Sequence, residues 1–381
     1  MSDTLARPVR LLGRAAPGDV LISPEVGRLV GGWYGLRARV GGTDTREVNQ
    51  AMAYSVVGLS PRQASLERYG QRPLSRFVGR ERELASLQDL LGHVEGGQGQ
   101  VVGLVGEPGV GKTRLLYELV HTHRSHGWLV LESHAESYGK ATPYLPVIDL
   151  LKAYFQVDSH DDVQTVREKV TSRLLTLDPA LQATLPVVCA LLEVPVDDPL
   201  WPALDPHQRR QRTLDALKDL WLGESVVQPL LLIVENLHWI DTETQAFLDL
   251  LSDSLPAPRL LLLVSYRSEY QHGWGNKTYY TQLRLDPLPC TSVQALLDDL
   301  LGDDASLEAL KRRLIERTEG NPFFLEESVQ TLVETPLRVI DEVANRLQDQ
   351  QLQHTLLAAP PVQELRAVAG GLRITGRCRL S

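Results

Sequence analysis

The chain has 381 residues, of which 43% are hydrophobic and 23% are charged, and its formal net charge is −9. This composition is typical of a soluble globular protein with room for two or three domains, and it excludes collagen-like, disordered and disulfide-scaffold chains. The acidic balance disfavours direct nucleic-acid binding, which needs a surplus of Lys and Arg to displace counterions from phosphates.

The chain offers no apolar stretch long enough for a secretory signal or for a membrane span of roughly 20 residues. Its three cysteines, Cys189, Cys290 and Cys378, are scattered without a C-x-x-C pair. This spacing argues against both a disulfide framework and a cysteine zinc site. We therefore expect a cytoplasmic protein that does not associate with membranes.

The amino-terminal part, residues 1–58, is rich in Gly and Val and predicts a small α+β piece. Its stretch GDVLISPEVGRLVGG (residues 18–32) indicates a strand, then a helix that a proline starts and glycines stop. The polar residues that follow predict a linker over 59–75.

Five short apolar runs alternate with helical patterns between residues 76 and 288. Continuous apolar character indicates burial on both faces, as in a parallel sheet covered by helices, so the predicted class is α/β. The runs are QVVGLVG (100–106), GWLVLES (127–133), PLLLIVEN (229–236), RLLLLVSYR (259–267) and, more weakly, TQLRLDPL (281–288).

The helical patterns complete the predicted organisation. A long helical insert, residues 143–226, separates the second run from the third, and a capping-box spacing from Thr242 to Gln245 predicts the start of another helix. We expect a helical lid over residues 289–345 and a poorly ordered tail over 346–381.

The first apolar run leads into a glycine-rich loop. Gly106, Gly111, Lys112 and Thr113 fit G-x-x-x-x-G-K-[ST] at a strand end and a helix start. Glycines let successive backbone N–H groups turn toward phosphate oxygens, and the helix N-terminus and the lysine add positive charge. The pattern predicts a loop that binds ATP phosphates through Gly106, Glu107, Pro108, Gly109, Val110, Gly111 and Lys112, with the hydroxyl of Thr113 on Mg²⁺.

An acid at the end of a second buried strand would hold the metal and activate water. Glu235 stands at the tip of LLLIVE and is the candidate for both roles. The next position, where a second carboxylate would accept a proton from water, holds Asn236, whose amide can orient water but has no useful basicity. Either Glu235 does both jobs, or turnover is slow and the protein acts as a switch.

Six stretches, taken together, resemble the ATPase module of the signal-transduction ATPases with numerous domains (STAND). This AAA-like group is found in LuxR-type regulators and behind bacterial adenylate and guanylate cyclases. The stretches occur in the family's order over about residues 76–335, and they are FVGRERELASLQ, GEPGVGKTRLL, TPYLPVIDLL, LLLIVENLHWID, LLLLVSYRSEY and GNPFFLEESVQTLV.

The resemblance implies further site residues. Val78, Gly79 and Arg80 match the entry motif, whose backbone would lie near the adenine. Arg267 matches a sensor position, from which a guanidinium would reach the γ-phosphate and tell ATP from ADP; the residue-level alternative is a strand-end arginine in a salt bridge. Pro322 matches a lid proline that packs on the base; by its position it is equally a first-turn helix proline. Asn236 departs from the family's usual Asp.

The amino-terminal stretches RAAPGDVLISPEVGRLVGGWYGLRARVG and AMAYSVVG are similar to the last strands and helix of a class III nucleotide cyclase domain. That domain's metal-binding aspartates and its Asn/Arg pair would lie upstream of this piece. We therefore expect residues 1–58 to be a remnant without cyclase activity.

Three functional hypotheses follow. The leading one is an ATP-binding signalling ATPase or switch that uses Mg²⁺ and acts on a protein partner or through self-association. The alternatives are a cyclase fragment that is inactive for cyclisation, and a nucleotide-binding scaffold without turnover. The input signal, the oligomeric state and the choice between ATP and GTP stay open.

Overall fold

The computed structural model describes strands at residues 20–22, 34–39 and 53–59, and then residues 74–123, 127–137, 139–158, 160–255 and 257–332. The chain divides into two compact units, residues 1–68 and 69–381. The helix predicted within residues 18–32, the lid beyond residue 332 and the tail over 346–381 lie outside the described residues.

The first unit contains three described strands, β1 (Val20–Ile22), β2 (Tyr34–Arg39) and β3 (Ala53–Leu59). They form an antiparallel sheet in the order β1-β3-β2, and the pairing of β2 with β3 shifts register between Gly35 and Leu36. The strands predicted for this part are therefore present. The cyclase resemblance stays a prediction.

The second unit is built on a five-stranded parallel sheet in the order β5-β6-β7-β4-β8. Each strand falls on one of the five apolar runs, which confirms the α/β prediction. The weakest run gives the shortest of these strands, since β8 ends before Asp286 and Pro287, and proline has no N–H for a ladder. The bounds are β4 Gln100–Val105, β5 Leu129–His134, β6 Leu230–Glu235, β7 Leu260–Tyr266 and β8 Tyr280–Arg284.

Helices occupy most of the described sequence between and after these strands. Four of them, α3 to α6, form the predicted insert, and α8, α9 and a last helix that starts at residue 322 form the described part of the predicted lid. The bounds are α1 Glu81–Glu95, α2 Lys112–His123, α3 Leu145–Tyr154, α4 Val163–Leu177, α5 Leu185–Leu191, α6 Pro206–Val227, α7 Thr242–Ser254, α8 Cys290–Leu301 and α9 Glu308–Thr318.

Alternate residues of the central strands point to opposite faces, and each face has its own hydrophobic core. Leu230, Leu232 and Val234 of β6 join the core formed with the insert helices and α7. Leu231 and Ile233 join the core formed with α1 and α2. The sheet is therefore covered by helices on both faces, which explains why its strands are apolar throughout. A third core is formed by the lid together with Leu288, the residue just before it, and its lid members are Val293, Leu296, Leu297, Leu314, Leu325 and Val329.

The start of α7 differs from the sequence prediction. The N-cap is Asp241, whose Oδ1 accepts hydrogen bonds from the backbone N–H groups of Glu243 and Thr244, both at 2.9 Å. The capping box from Thr242 to Gln245 is therefore wrong by one residue. The carboxylate just before the threonine satisfies two free N–H groups of the first turn at once.

Candidate functional site

Three strand ends meet at one edge of the parallel sheet. Strand β7 lies between β6 and β4, so the segments that follow these three strands are neighbours. In open α/β sheets, ligands bind at this carboxyl edge. The edge brings together the glycine-rich loop after β4, Glu235 at the end of β6 and Arg267 after β7.

A cavity of about 430 Å³ lies at this edge. Four predicted site residues, Gly79, Gly106, Glu107 and Glu235, do not border it directly. The predicted site residues that line it are Val78, Arg80, Pro108, Gly109, Val110, Gly111, Lys112, Thr113, Asn236, Arg267 and Pro322. Ligand binding by these residues stays a prediction, but the structure gathers most of them around one space.

The glycine-rich loop needs its glycines for two physical reasons. Gly109 and Gly111 have φ values of +83° and +98°, in the region that L side chains rarely adopt. A Cβ on Gly109 would lie 2.7 Å from Oδ1 of Asn321, and one on Gly106 would lie 2.6 Å from the carbonyl oxygen of Leu285. The loop backbone is thus kept free of side chains where it approaches its neighbours.

Lys112 opens helix α2 and folds back over the loop. Its Nζ donates hydrogen bonds to the carbonyl oxygens of Gly106 at 2.6 Å and of Glu107 at 2.9 Å. Burial lowers the pKa of the ammonium, and the positive charge of Arg267 lowers it further. A phosphate next to the helix N-terminus would replace weak carbonyl acceptors with a full negative charge.

The side chains of Thr113 and Glu235, the two residues predicted to hold Mg²⁺, are in contact. The Thr113 hydroxyl donates to Oε2 of Glu235 at 2.6 Å, and Nδ1 of His134 lies 3.1 Å from Oε1 of the same carboxylate. Glu235 is only 1% exposed. A loop hydroxyl and a strand-end carboxylate in contact fit Mg²⁺, which prefers oxygen ligands and is held in this way in P-loop proteins.

Asn236 adopts a left-handed backbone conformation with φ 62° and ψ 45°. Asparagine is one of the few non-glycine residues that tolerate this conformation, so the backbone favours it here. Its N–H donates to Oγ of Ser265 at 3.2 Å, and the residue borders the cavity. The structure thus places this amide beside the cavity, where hydrolysis would call for a proton-accepting group.

Arg267 lies beside the cavity with its side chain 36% exposed, and Nη1 is 3.9 Å from Oε1 of Glu269. The next residue, Ser268, donates from its hydroxyl to Oε1 of Glu107 at 2.9 Å. The segment after β7 is therefore tied to the phosphate loop. Both interpretations of Arg267, salt bridge and phosphate sensor, are compatible with this position.

The entry motif holds the phosphate loop through the side chain of Arg80, a hydrogen-bonding role that the sequence did not predict for this site residue. Arg80 is 6% exposed, and its Nη2 donates to the carbonyl oxygens of Val110, at 3.1 Å, and of Asp286. Gly79 has φ +69°, and its N–H donates to Oε1 of Glu81 at 3.1 Å. Only the tertiary structure brings Arg80 to the loop.

The start of the last helix contacts the phosphate loop directly. Nδ2 of Asn321 donates to the carbonyl oxygen of Pro108 at 2.9 Å, and the N–H of Phe323 donates to that of Gly109 at 3.3 Å. Pro322, between them, is the first residue of the helix and borders the cavity. The proline therefore fits both of its sequence interpretations, as a first-turn residue and as part of the site.

His238 borders the cavity and was not among the predicted site residues. Both of its ring nitrogens are buried, and neither has a hydrogen-bond partner among the described residues. Burial, with a further contribution from the charge of Arg267, lowers the pKa of His238 to about 4. The available sequence signal was its place in LHWID, two residues beyond Asn236.

Among the described residues, no helix combines the length and the apolar character needed to cross a membrane. This finding concerns only the parts of the chain that the structure describes.

Comparison with known proteins adds a family match. Residues 76–264 match the sequence profile of a family described as AAA ATPase domain. Together with the loop geometry, this match supports a P-loop AAA ATPase module, for which nucleotide binding, usually with Mg²⁺, is implied.

Two further similarities were found. The chain is 27% identical over 372 residues to an uncharacterised protein of Rhizobium meliloti (strain 1021), covering 90% of this chain and 33% of that protein. It therefore spans about a third of the length of that curated relative. A solved structure of Drosophila ORC bound to DNA is similar at a TM-score of 0.41 and 12% identity, covering 88% of this chain and 72% of that one.

Proposed function

We propose that the second unit is an ATP-dependent switch. It binds Mg-ATP at the phosphate loop, hydrolyses it slowly, and uses the nucleotide to control how the lid packs. The observation that carries the proposal is the contact between Thr113 and Glu235 next to Lys112 at the cavity edge. Loop hydroxyl, strand-end acid and loop lysine are the three side chains that P-loop proteins use for magnesium and phosphates.

Slow hydrolysis follows from the residue at position 236. Asn236 borders the cavity, and an amide cannot take a proton from water. A site with full phosphate-binding groups and a weakened proton acceptor holds ATP for long periods. Such a site suits signalling better than rapid turnover.

The lid is the part through which we expect the nucleotide to act. Asn321 and Phe323 hydrogen-bond to the carbonyl groups of Pro108 and Gly109. A phosphate that reshapes this loop would alter the same contacts, and with them the surface that the lid offers to a protein partner or to a second copy. The switch would act in the cytoplasm, and no direct nucleic-acid binding is expected at a net charge of −9.

Two other functions compete with this one. The first 58 residues favour a cyclase fragment that is inactive for cyclisation, and cyclic nucleotide production above background by the purified chain would show instead that it is an active cyclase. Asn236 favours a scaffold that binds nucleotide without turnover, and this function predicts binding with no phosphate release at all.

A fluorescent-nucleotide titration tests the proposal, with and without Mg²⁺, on the natural protein and on Lys112→Ala. We expect the substitution to weaken binding by about 100-fold, because a charge-assisted contact to phosphate contributes on the order of 2–3 kcal/mol. Lys218→Ala is the matched control, since it removes an equal charge from helix α6, where Lys218 pairs with Asp215. Equal affinity of the natural protein and Lys112→Ala would defeat the proposal.

A further inference from the structure

His238 presents a physical problem that the rest of the site does not explain. Its two ring nitrogens are buried, yet neither makes a hydrogen bond within the described residues. Leaving buried polar atoms unpaired costs free energy, and such exceptions in native proteins call for a specific reason. The ring also borders the cavity, as do Asn236 and Lys112.

The imidazole is held in its neutral form. Burial, followed by the positive charges of Arg267 and Lys112, disfavours protonation, and this holds the pKa of His238 near 4. A neutral imidazole always has one nitrogen that accepts a proton. Three cations, Arg267, Lys112 and Lys140, depress this pKa. The first two border the cavity, so a bound triphosphate would neutralise them and raise the basicity of the ring toward the range of a useful base.

The position of the ring complements what Asn236 lacks. His238 lies in the short helical turn Leu237–Trp239, directly after the strand end that carries Glu235 and Asn236. Lys112 bonds to the carbonyl oxygens of Gly106 and Glu107, and we expect it to turn from them toward a bound phosphate.

We infer that His238 is the proton acceptor of ATP hydrolysis, in place of the missing second carboxylate. In this step, the oxygen of a water molecule forms a bond to the terminal phosphorus. The bond from that phosphorus to the bridging oxygen breaks, and ADP leaves with the electron pair. One proton of the water passes to the free nitrogen of His238. The inference rests on the proposed function, because it assumes that ATP binds at the loop.

Single-turnover hydrolysis and nucleotide affinity, measured separately, test this role. We expect His238→Ala and His238→Gln each to slow hydrolysis by roughly 100-fold, which is within the usual contribution of a general base. The affinity for Mg-ATP should change by less than about threefold, since neither substitution touches the phosphate-binding loop. His207→Ala, at an exposed histidine of α6, is the control and should leave both quantities unchanged.

The glutamine variant separates proton acceptance from simple positioning. Glutamine can hydrogen-bond to water but cannot take its proton, so hydrolysis at the natural rate in His238→Gln would overturn the inference. Adding Asn236→Asp to His238→Ala should restore at least about tenfold of the lost rate, because a carboxylate then replaces the imidazole. No recovery would contradict the idea that the two positions serve the same step.

A spectroscopic readout is independent of turnover. The ring proton resonances of His238 should shift when Mg²⁺ and a non-hydrolysable ATP analogue bind, and shift less with Mg-ADP. An unchanged resonance in the presence of bound analogue would overturn the inference alone. Absence of nucleotide binding or of phosphate release by the natural protein would instead remove the proposed function, whereas hydrolysis at the natural rate by His238→Gln would remove only the role of His238.

Discussion

Two buried glutamates show how the helical insert and the edge of the sheet differ. Glu224, on α6, is 0% exposed and accepts hydrogen bonds from the Tyr154 hydroxyl at 2.5 Å, from Nε2 of Gln228 at 2.5 Å and from Nη2 of Arg173 at 3.2 Å. The Glu224 carboxylate is thus surrounded by one cation, Arg173, and by the neutral donors Tyr154 and Gln228. Its role is to hold the insert helices together.

Glu235, at the end of β6, is buried to the same degree but has a different setting. The Thr113 hydroxyl donates to one of its oxygens, His134 contacts the other, and Thr113 itself borders the cavity. Burial alone therefore does not identify a functional carboxylate. The distinction lies in whether its partners lead to a space that a ligand can enter.

The largest expected effect comes from Glu235→Gln. Hydrolysis should fall by roughly 100-fold or more, because the amide carries no charge for the metal. The free energy of unfolding should change by less than about 1 kcal/mol, since glutamine keeps the shape and an acceptor for Thr113. Phosphate release and urea unfolding measure the two quantities. A large loss of stability with intact hydrolysis would make this glutamate resemble Glu224.

Glu224→Ala should give the opposite pattern. We expect a loss of about 3 kcal/mol in the free energy of unfolding, at the lower end for a broken buried ion pair. The lower end applies because the Arg173 side chain is 39% exposed, so water can hydrate its charge. Urea unfolding measures the loss, and nucleotide titration of the folded fraction should show unchanged affinity. Weakened ATP binding by a stable Glu224 variant would contradict the distinction between a structural Glu224 and a functional Glu235.

Gly109→Ala tests whether the contact between the phosphate loop and the lid contributes to nucleotide binding. The new Cβ would meet Asn321 and Phe323, at 2.7 and 2.9 Å, and would require an unfavourable positive φ. We expect nucleotide affinity to fall about tenfold, as measured by titration, because the loop and the lid must shift. Gly97→Ala is a matched control, since Gly97 has φ +84° with open space around it. If both variants bind nucleotide equally, the contact between loop and lid has no role in binding.

The smallest effect concerns Asp149, on α3 of the insert. Burial raises its pKa to about 6, against the opposing charges of Lys152 and His134. A carboxyl whose pKa is raised by folding stabilises the fold below its unfolded pKa, and this contribution is lost as the pH rises through about 6. Asp149→Asn should therefore stabilise the protein by about 1–2 kcal/mol at pH 8 and have little effect near pH 4. Thermal unfolding across this range is the measurement, and equal shifts at both pH values would contradict it.

Much of the fold could be predicted from the sequence because burial on both faces leaves a local pattern. Leu230 to Val234 are apolar without interruption, and the strand follows that run closely. The position of β7 between β6 and β4 could not be predicted in this way, since strand pairing depends on contacts between distant segments. The error at α7 was local, because Asp241 competed with Thr242 for the cap.

In the candidate site too, local sequence patterns could be predicted, and contacts between distant residues could not. The glycine-rich loop and Glu235 have fixed spacing or a fixed place at a strand end, so the sequence indicated them. Arg80 acts on Val110 across 30 residues, and His238 is distinguished by the partners that its ring lacks. Neither property leaves a pattern in the sequence.

The most direct measurement is a crystal structure of the protein grown with Mg²⁺ and a non-hydrolysable ATP analogue. ATP binding at the phosphate loop predicts the phosphates inside the loop of residues 106–113, Lys112 turned from its carbonyl partners to the phosphates, and Mg²⁺ about 2.1 Å from the hydroxyl oxygen of Thr113. An analogue bound elsewhere on the chain, with Lys112 still bonded to Gly106 and Glu107, would contradict it.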